Sequence, residues 1–192
     1  MPRFRRFAGA ALLLGGALLV STGCAPHRPT AARGGEAGSG GPGARIIPGV
    51  PFLPQEEDTC GPSSLAMLLR FHGVDATTGE IAAETRTAGL RGTLITDLAA
   101  AARRRGLPAE VADLDMAGVR RRIGEGEPVI LLIDLGMWVW SRPHYLLAYG
   151  TAPEGVVAHS GRTKGAVIPY ETLDAQWEKM GRLSIVVTGA AK

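Results

Sequence analysis

Hydrophobic positions along this chain fall into successive regimes. From Phe7 to Val20 they form an uncharged apolar run, and from 25 to 44 they give way to Gly, Ala, Pro, Ser and Arg without a period. From Arg45 onward they recur at helical and then at strand spacing. Within Gly61–His72 the apolar residues Leu65, Leu68, Leu69 and Phe71 line one helical face, with Pro62 in the first turn and Gly73 as the stop. Thr77 and Glu80 have capping-box spacing and predict a second helix through Glu84. Leu94–Arg105 reads as a third helix, ended by Gly106 and Pro108; Val119–Ile123 belongs to a fourth, capped by Asp115. Strand patterns follow at Val129–Ile133, His144–Tyr149, Val156–His159, Ala166–Ile168 and Leu183–Val187, with a last helix around Leu173–Met180. Val50–Leu53, broken by prolines, is a short strand at most. Helices first and then mostly strands predict an α+β fold, a helical layer on an antiparallel sheet.

The leading apolar run changes the picture of where the chain resides. Arg3, Arg5 and Arg6 precede it, and the stretch from Phe7 to Val20 falls short of the roughly twenty residues a membrane-spanning helix needs. That is the layout of an export signal. It ends in Val20-Ser21-Thr22-Gly23-Cys24, which resembles a bacterial lipobox and implies acylation of Cys24 and cleavage after Gly23. A plain secretory signal with an incidental cysteine is the alternative. Residues 1–23 therefore read as a lipoprotein signal peptide, 24–44 as a lipidated flexible tether, and 45–192 as one domain. Such a tether reaches roughly 25 Å. The expected address is the cell envelope, held to a membrane by lipid, and Ala25 rather than Asp after the cysteine favours an outer membrane.

Composition adds bounds. The chain has 192 residues, 45% hydrophobic and 20% charged, enough for one real core. Its net charge of +3 owes much to the N-terminus and gives no reason to expect a nucleic-acid partner. Arg103-Arg104-Arg105 and Arg120-Arg121-Arg122 read as solvated helix faces, with anionic lipid as their functional alternative. There are two cysteines, Cys24 and Cys60. A disulfide between them is the default in an exported protein, but acylation of Cys24 would leave Cys60 a lone thiol.

Cys60 opens a helix, followed by Gly61 and Pro62, and a helix N-terminus favours a thiolate there. Gln55, five residues upstream, is placed to join the Cys60 backbone N–H in an oxyanion hole. The plain reading makes Cys60 a small buried residue and Gln55 a surface one. The segment Pro51-Phe52-Leu53-Pro54-Gln55 with Cys60-Gly61-Pro62-Ser63-Ser64-Leu65-Ala66 resembles the nucleophile region of the bacteriocin-processing (double-glycine) cysteine peptidases and their lipoprotein relatives. Their catalytic histidine heads an apolar strand, which here matches His144-Tyr145-Leu146-Leu147-Ala148-Tyr149-Gly150. The resemblance covers about Val50 to Val187 and implies a papain-like fold, a peptide or protein substrate, Cys60 as nucleophile and His144 as general base, with no cofactor.

One position departs from that family. Where it has an aspartate orienting the histidine, this chain has Val156-Val157-Ala158-His159-Ser160-Gly161. Ser160, His159 and, from the strand before His144, Asp134 are the candidates for a third member. No ligand pair has metal spacing, so no metal is expected. Trp138 and Trp140 alternate on the loop before His144, placed either to wall a cleft or to pack beneath the loop. Two further readings stand beside the peptidase: a peptidase-like binding module that has lost the chemistry, and an acyltransferase in which an amine replaces water.

Overall fold

The structure, a computed structural model, describes residues 43–188 apart from 87, 88, 90, 91 and 138. The expected signal peptide and Cys24 lie outside the described residues. Element order is β1 (Arg45–Ile46), a 3-10 turn (Glu57–Thr59), α1 (Cys60–Phe71), α2 (Thr78–Thr85), α3 (Ile95–Arg104), β2 (Ala109–Asp113) and α4 (Met116–Gly124). Then come β3 (Val129–Asp134), β4 (Pro143–Ala152), β5 (Gly155–Ser160), β6 (Thr163–Pro169), α5 (Tyr170–Glu178) and β7 (Leu183–Val187).

The helix starts follow from their caps. Thr77 Oγ1 accepts the Glu80 N–H at 3.2 Å while Glu80 Oε2 accepts the Thr77 N–H at 2.9 Å, the reciprocal pair its spacing predicted. Asp115 Oδ1 accepts the Gly118 N–H at 2.6 Å and opens α4. Strand order is β2-β7-β3-β4-β5-β6, every pair antiparallel, and β1 pairs with the far end of β4.

The fold is α+β, as expected, but the helices do not form one layer. All six residues of β3 are buried, and so is β4 from Tyr145 to Gly150. A sheet apolar on both faces must be covered on both. Ile130, Leu132, Tyr145, Leu147 and Ile185 pack with α1, α2 and α3. Their alternating neighbours Leu131, Ile133, Leu146, Ala148 and Val186 pack with α4 and α5, where Trp177 is fully buried and donates its indole N–H to Leu183 O at 3.0 Å. Two other expectations change. The Val50–Leu53 stretch is not a strand, because Pro51 and Pro54 interrupt it; the short β1 takes its place. The Ala-Glu-Val-Ala-Asp of β2 has no run to announce it and is a strand because it pairs with β7, Ala109 opposite Val187 and Asp113 opposite Leu183.

At the open end of the β5–β6 hairpin Gly155 pairs with Pro169, and an added Cβ there would fall 2.0 Å from the backbone oxygen of Ile168. Backbone cannot rotate aside as a side chain can. Gly155→Ala is therefore expected to destabilise the domain by about 1–3 kcal/mol or more. A lowered urea midpoint at unchanged slope would show it, whereas a wild-type midpoint would mean the hairpin is looser than described.

Candidate active site

Cys60 is the first residue of α1, and the Thr59 side chain makes no capping bond there, so no side chain competes for the first amides. Gly61 is what lets the helix start close onto β4: a Cβ would stand 3.0 Å from Leu98 Cδ1 and 3.1 Å from the Tyr145 ring. Cys60 is a free, buried thiol. The backbone N–H groups of Tyr145, Gly61 and Cys60 itself favour the thiolate. Burial nevertheless pushes the thiol up, outweighing those amides, and Asp58 adds to the rise. The net direction is opposite to the one expected from the helix N-terminus alone.

His144 is the second residue of β4 and half-buried, with Nε2 at 3.0 Å from Ser160 Oγ. Burial, with the nearby Arg142 charge, lowers its imidazole to about 4. Strand alternation turns Tyr145 toward α1 and His144 toward Ser160. The Tyr145 amide that acts on the Cys60 thiol belongs to the peptide unit formed with His144. Pro143, just before it, borders two clefts. One, about 330 Å³, is lined by Cys60, Thr93, Leu94, Leu132, Tyr145 and Met180 among others. The other, about 590 Å³, is lined by Gln55, Arg142, His144, Ser160 and Arg162 among others.

Gln55 is not the surface residue of the plain reading; it is buried. Its Nε2 donates to Ser64 Oγ at 2.8 Å and to Cys60 O at 3.3 Å, and its Oε1 accepts the Gly161 N–H at 2.6 Å. Its backbone N–H donates to Gly161 O at 2.9 Å. The side chain is thus beside the Cys60 backbone, with both amide hydrogens engaged.

The candidates for the third position separate cleanly. Ser160 reaches His144. His159 points elsewhere: it is buried, its Nδ1 accepts the Gly165 N–H at 3.2 Å, and its ring sits 4.3 Å from that of Tyr149 and 5.1 Å from that of Phe52. Asp134 accepts the Gly136 and Arg142 N–H groups, each at 2.7 Å. Those bonds, the Arg142 amide foremost, hold its carboxyl below the usual carboxylate range. It shapes the loop that leads to His144 instead of touching the ring. His72, at the end of α1, faces Glu127 at 3.6 Å.

Sequence reasoning missed Ser64 and Gly161, the partners of Gln55. Ser64 had a signal, since it lies four residues after Cys60 and so on the same helical face; Gly161 had none. Several arginines read as solvated are pinned to protein. Arg104 and Arg105 pair with Glu84, Arg122 donates to Val187 O at 3.1 Å, and Arg120 lies 4.2 Å over the Tyr170 ring. Among the described residues no group of three or more His, Cys, Asp or Glu converges as a metal site, and no helix is long and apolar enough to cross a membrane.

No curated protein matches the chain. Solved structures do. A C39-like peptidase from Bacillus anthracis is similar with a TM-score of 0.64 at 18% identity, over 78% of this chain and 99% of that one. The peptidase domain of Streptococcus ComA, a bi-functional ABC transporter involved in quorum sensing, gives 0.59 at 19%, over 73% and 99%. A double-glycine-motif protease from an AMS/PCAT transporter, solved in complex with a leader peptide, gives 0.58 at 20%, over 75% and 96%. These likenesses establish the papain-like fold. The peptidase C39 family model matches residues 51–187, from before Cys60 to the last strand, and the chain belongs to the peptidase C39 family.

Proposed function

We propose that this protein is a membrane-anchored cysteine peptidase in which Cys60 attacks a peptide carbonyl and His144 carries the proton. The observation that supports it most is the 3.0 Å hydrogen bond between His144 Nε2 and Ser160 Oγ. With Nε2–H donating to the hydroxyl, Nδ1 carries the free lone pair and the ring is held in one orientation. In the resting site the thiol, raised by burial, and the imidazole, lowered to about 4, are both neutral. The thiolate therefore forms during attack. As the sulfur–carbon bond forms, the proton moves from Cys60 to His144; the imidazolium then protonates the leaving amine as the carbon–nitrogen bond breaks. Water, deprotonated by His144, releases the acyl group from the thioester.

The developing oxyanion is served by the Cys60 N–H and by Gln55. The longer Gln55 bond, 3.3 Å to Cys60 O, is the one to be exchanged for substrate, while the 2.8 Å bond to Ser64 keeps the amide aimed. Ser160 is the positioning residue in place of a carboxylate. The double-glycine leader cut by transporter relatives is not carried over, because it belongs to those proteins' own arrangement.

Cys60→Ala should abolish cleavage of any accepted peptide, and His144→Ala should lower kcat by about 10²–10⁴-fold. Unchanged rates would overturn the peptidase reading in favour of a binding module.

The pH dependence follows from the two shifts. His144 remains a base down to about pH 4, so the acid limb of kcat/KM should lie near there and not at an ordinary histidine value of about 6.5. Iodoacetamide labelling of Cys60 should have its midpoint above the free-thiol value of about 8.5. A midpoint far below it, lost in His144→Ala, would replace the neutral pair with a preformed ion pair. The same depressed histidine has a consequence for folding. The unfolded chain protonates it first, so its contribution to stability declines as pH falls from about 6.5 toward 4.

The anchor is proposed at Cys24, on the lipobox-like Val20-Ser21-Thr22-Gly23-Cys24 that follows the apolar run, and places the peptidase at the cell envelope, on the outer membrane where the cell has one. Radiolabelled palmitate should enter the wild-type chain and not Cys24→Ala; equal labelling of the two would remove the anchor.

A further inference from the structure

The loop from 135 to 142, between β3 and β4, carries the largest apolar exposure among the described residues. Met137 is 74% exposed, Val139 92% and Trp140 80%. Packing beneath the loop is thereby excluded for Trp140. Single exposed apolar side chains are ordinary, but several large ones together at a tip mark a contact surface. This tip is not a slack segment. Leu135 N–H donates to Arg142 O at 3.0 Å and Trp140 N–H to Met137 O at 3.1 Å. Asp134 Oδ1 takes the Gly136 and Arg142 amides at 2.7 Å each, and Lys179 Nζ donates to Gly136 O at 3.2 Å. The backbone is tied at its base, so the apolar side chains are held out in water by design of the loop.

The occupant can be argued from chemistry. Met137, Val139 and Trp140 line neither cleft beside Pro143, which counts against a substrate wall. The tip is flanked by exposed cations, Arg142 and Lys179; Asp134 is buried and turned to backbone amides, and the exposed Glu178 beside Lys179 is paired with Arg182 at 3.4 Å. An aromatic-aliphatic tip flanked by two cations matches the boundary between acyl chains and anionic headgroups. A bilayer is also at hand on the anchored reading: an acylated Cys24 would hold the chain to one, and the Gly-rich stretch from 25 to 44 reaches roughly 25 Å.

We propose that Met137, Val139 and Trp140 insert into the lipid surface to which the chain is anchored, docking the domain with its catalytic cleft at the membrane face. This rests on the anchored reading above. His144 follows Arg142 by two residues, so an inserted tip brings the cleft mouth to the lipid–water boundary, where the accessible substrates are membrane-associated polypeptides.

The test uses the full chain reconstituted on vesicles of zwitterionic and anionic phospholipid with brominated acyl chains, with flotation and tryptophan fluorescence as readouts. The chain should float with the vesicles and its emission should be quenched by bromine. Trp140→Phe should lose that residue's share of the quenching, and Val139→Asp, whose charge opposes insertion, should weaken it by about twofold or more. Flotation with emission unquenched by bromine but open to aqueous acrylamide would overturn the docking and leave the anchor standing. No flotation would overturn both. Protection of Trp140 from acrylamide by a peptide substrate, in place of lipid, would assign the tip to the cleft and overturn the proposal.

Discussion

From one buried position the Gln55 side chain reaches the carbonyl of Cys60, the hydroxyl of Ser64 and the amide of Gly161. Those groups belong to the first turn of α1 and to the turn between β5 and β6, far apart in sequence. Leaving a buried polar atom without its partner costs about 1–3 kcal/mol, so each bond constrains the others. Gly161 adjoins Ser160, and Ser160 holds His144. Cys60 and His144 are therefore placed relative to each other through one amide, in addition to the influence of the Tyr145 N–H on the Cys60 thiol. The sheet supplies the frame, but the registration of the site runs through Gln55.

Much of this was readable before any coordinates. Helices announced by chemistry that acts within a few residues appear where expected: the Thr77–Glu80 box, the Asp115 cap and the Gly73 stop are local devices, so the sequence displays them directly. Antiparallel strands rich in Val, Ile and Leu were equally visible. What escaped depends on partners remote in the chain. The strand β2 is ordered by β7, and nothing in Ala-Glu-Val-Ala-Asp declares it. Helical cover on both faces was implied by the unbroken apolar run of β3, which was read only as a strand. At the site, Cys60, His144 and Gln55 were legible as a motif, whereas the choice among Ser160, His159 and Asp134 required knowing which side chain faces the ring. Strand alternation alone separates the adjacent His159 and Ser160 into a packing histidine and a partner for His144.

The hydroxyl at position 160 alters the electrostatics of the histidine. A carboxylate beside an imidazole raises its basicity and stabilises its protonated form; Ser160 offers a dipole instead. Burial and Arg142 both act against the imidazolium, so the resting ring is neutral above about pH 4. A single well-placed acceptor suffices to fix the ring, which is the positioning role proposed for Ser160.

A neutral, buried thiol has a further consequence outside catalysis. Oxidation to sulfenic acid and beyond follows thiolate character and exposure, and Cys60 has little of either at rest. In an oxidising envelope a permanently ionised cysteine would be consumed by peroxide between turnovers. On the proposed mechanism the reactive form would arise only during attack on a bound peptide, which would leave the resting Cys60 sulfur a poor target for peroxide between turnovers.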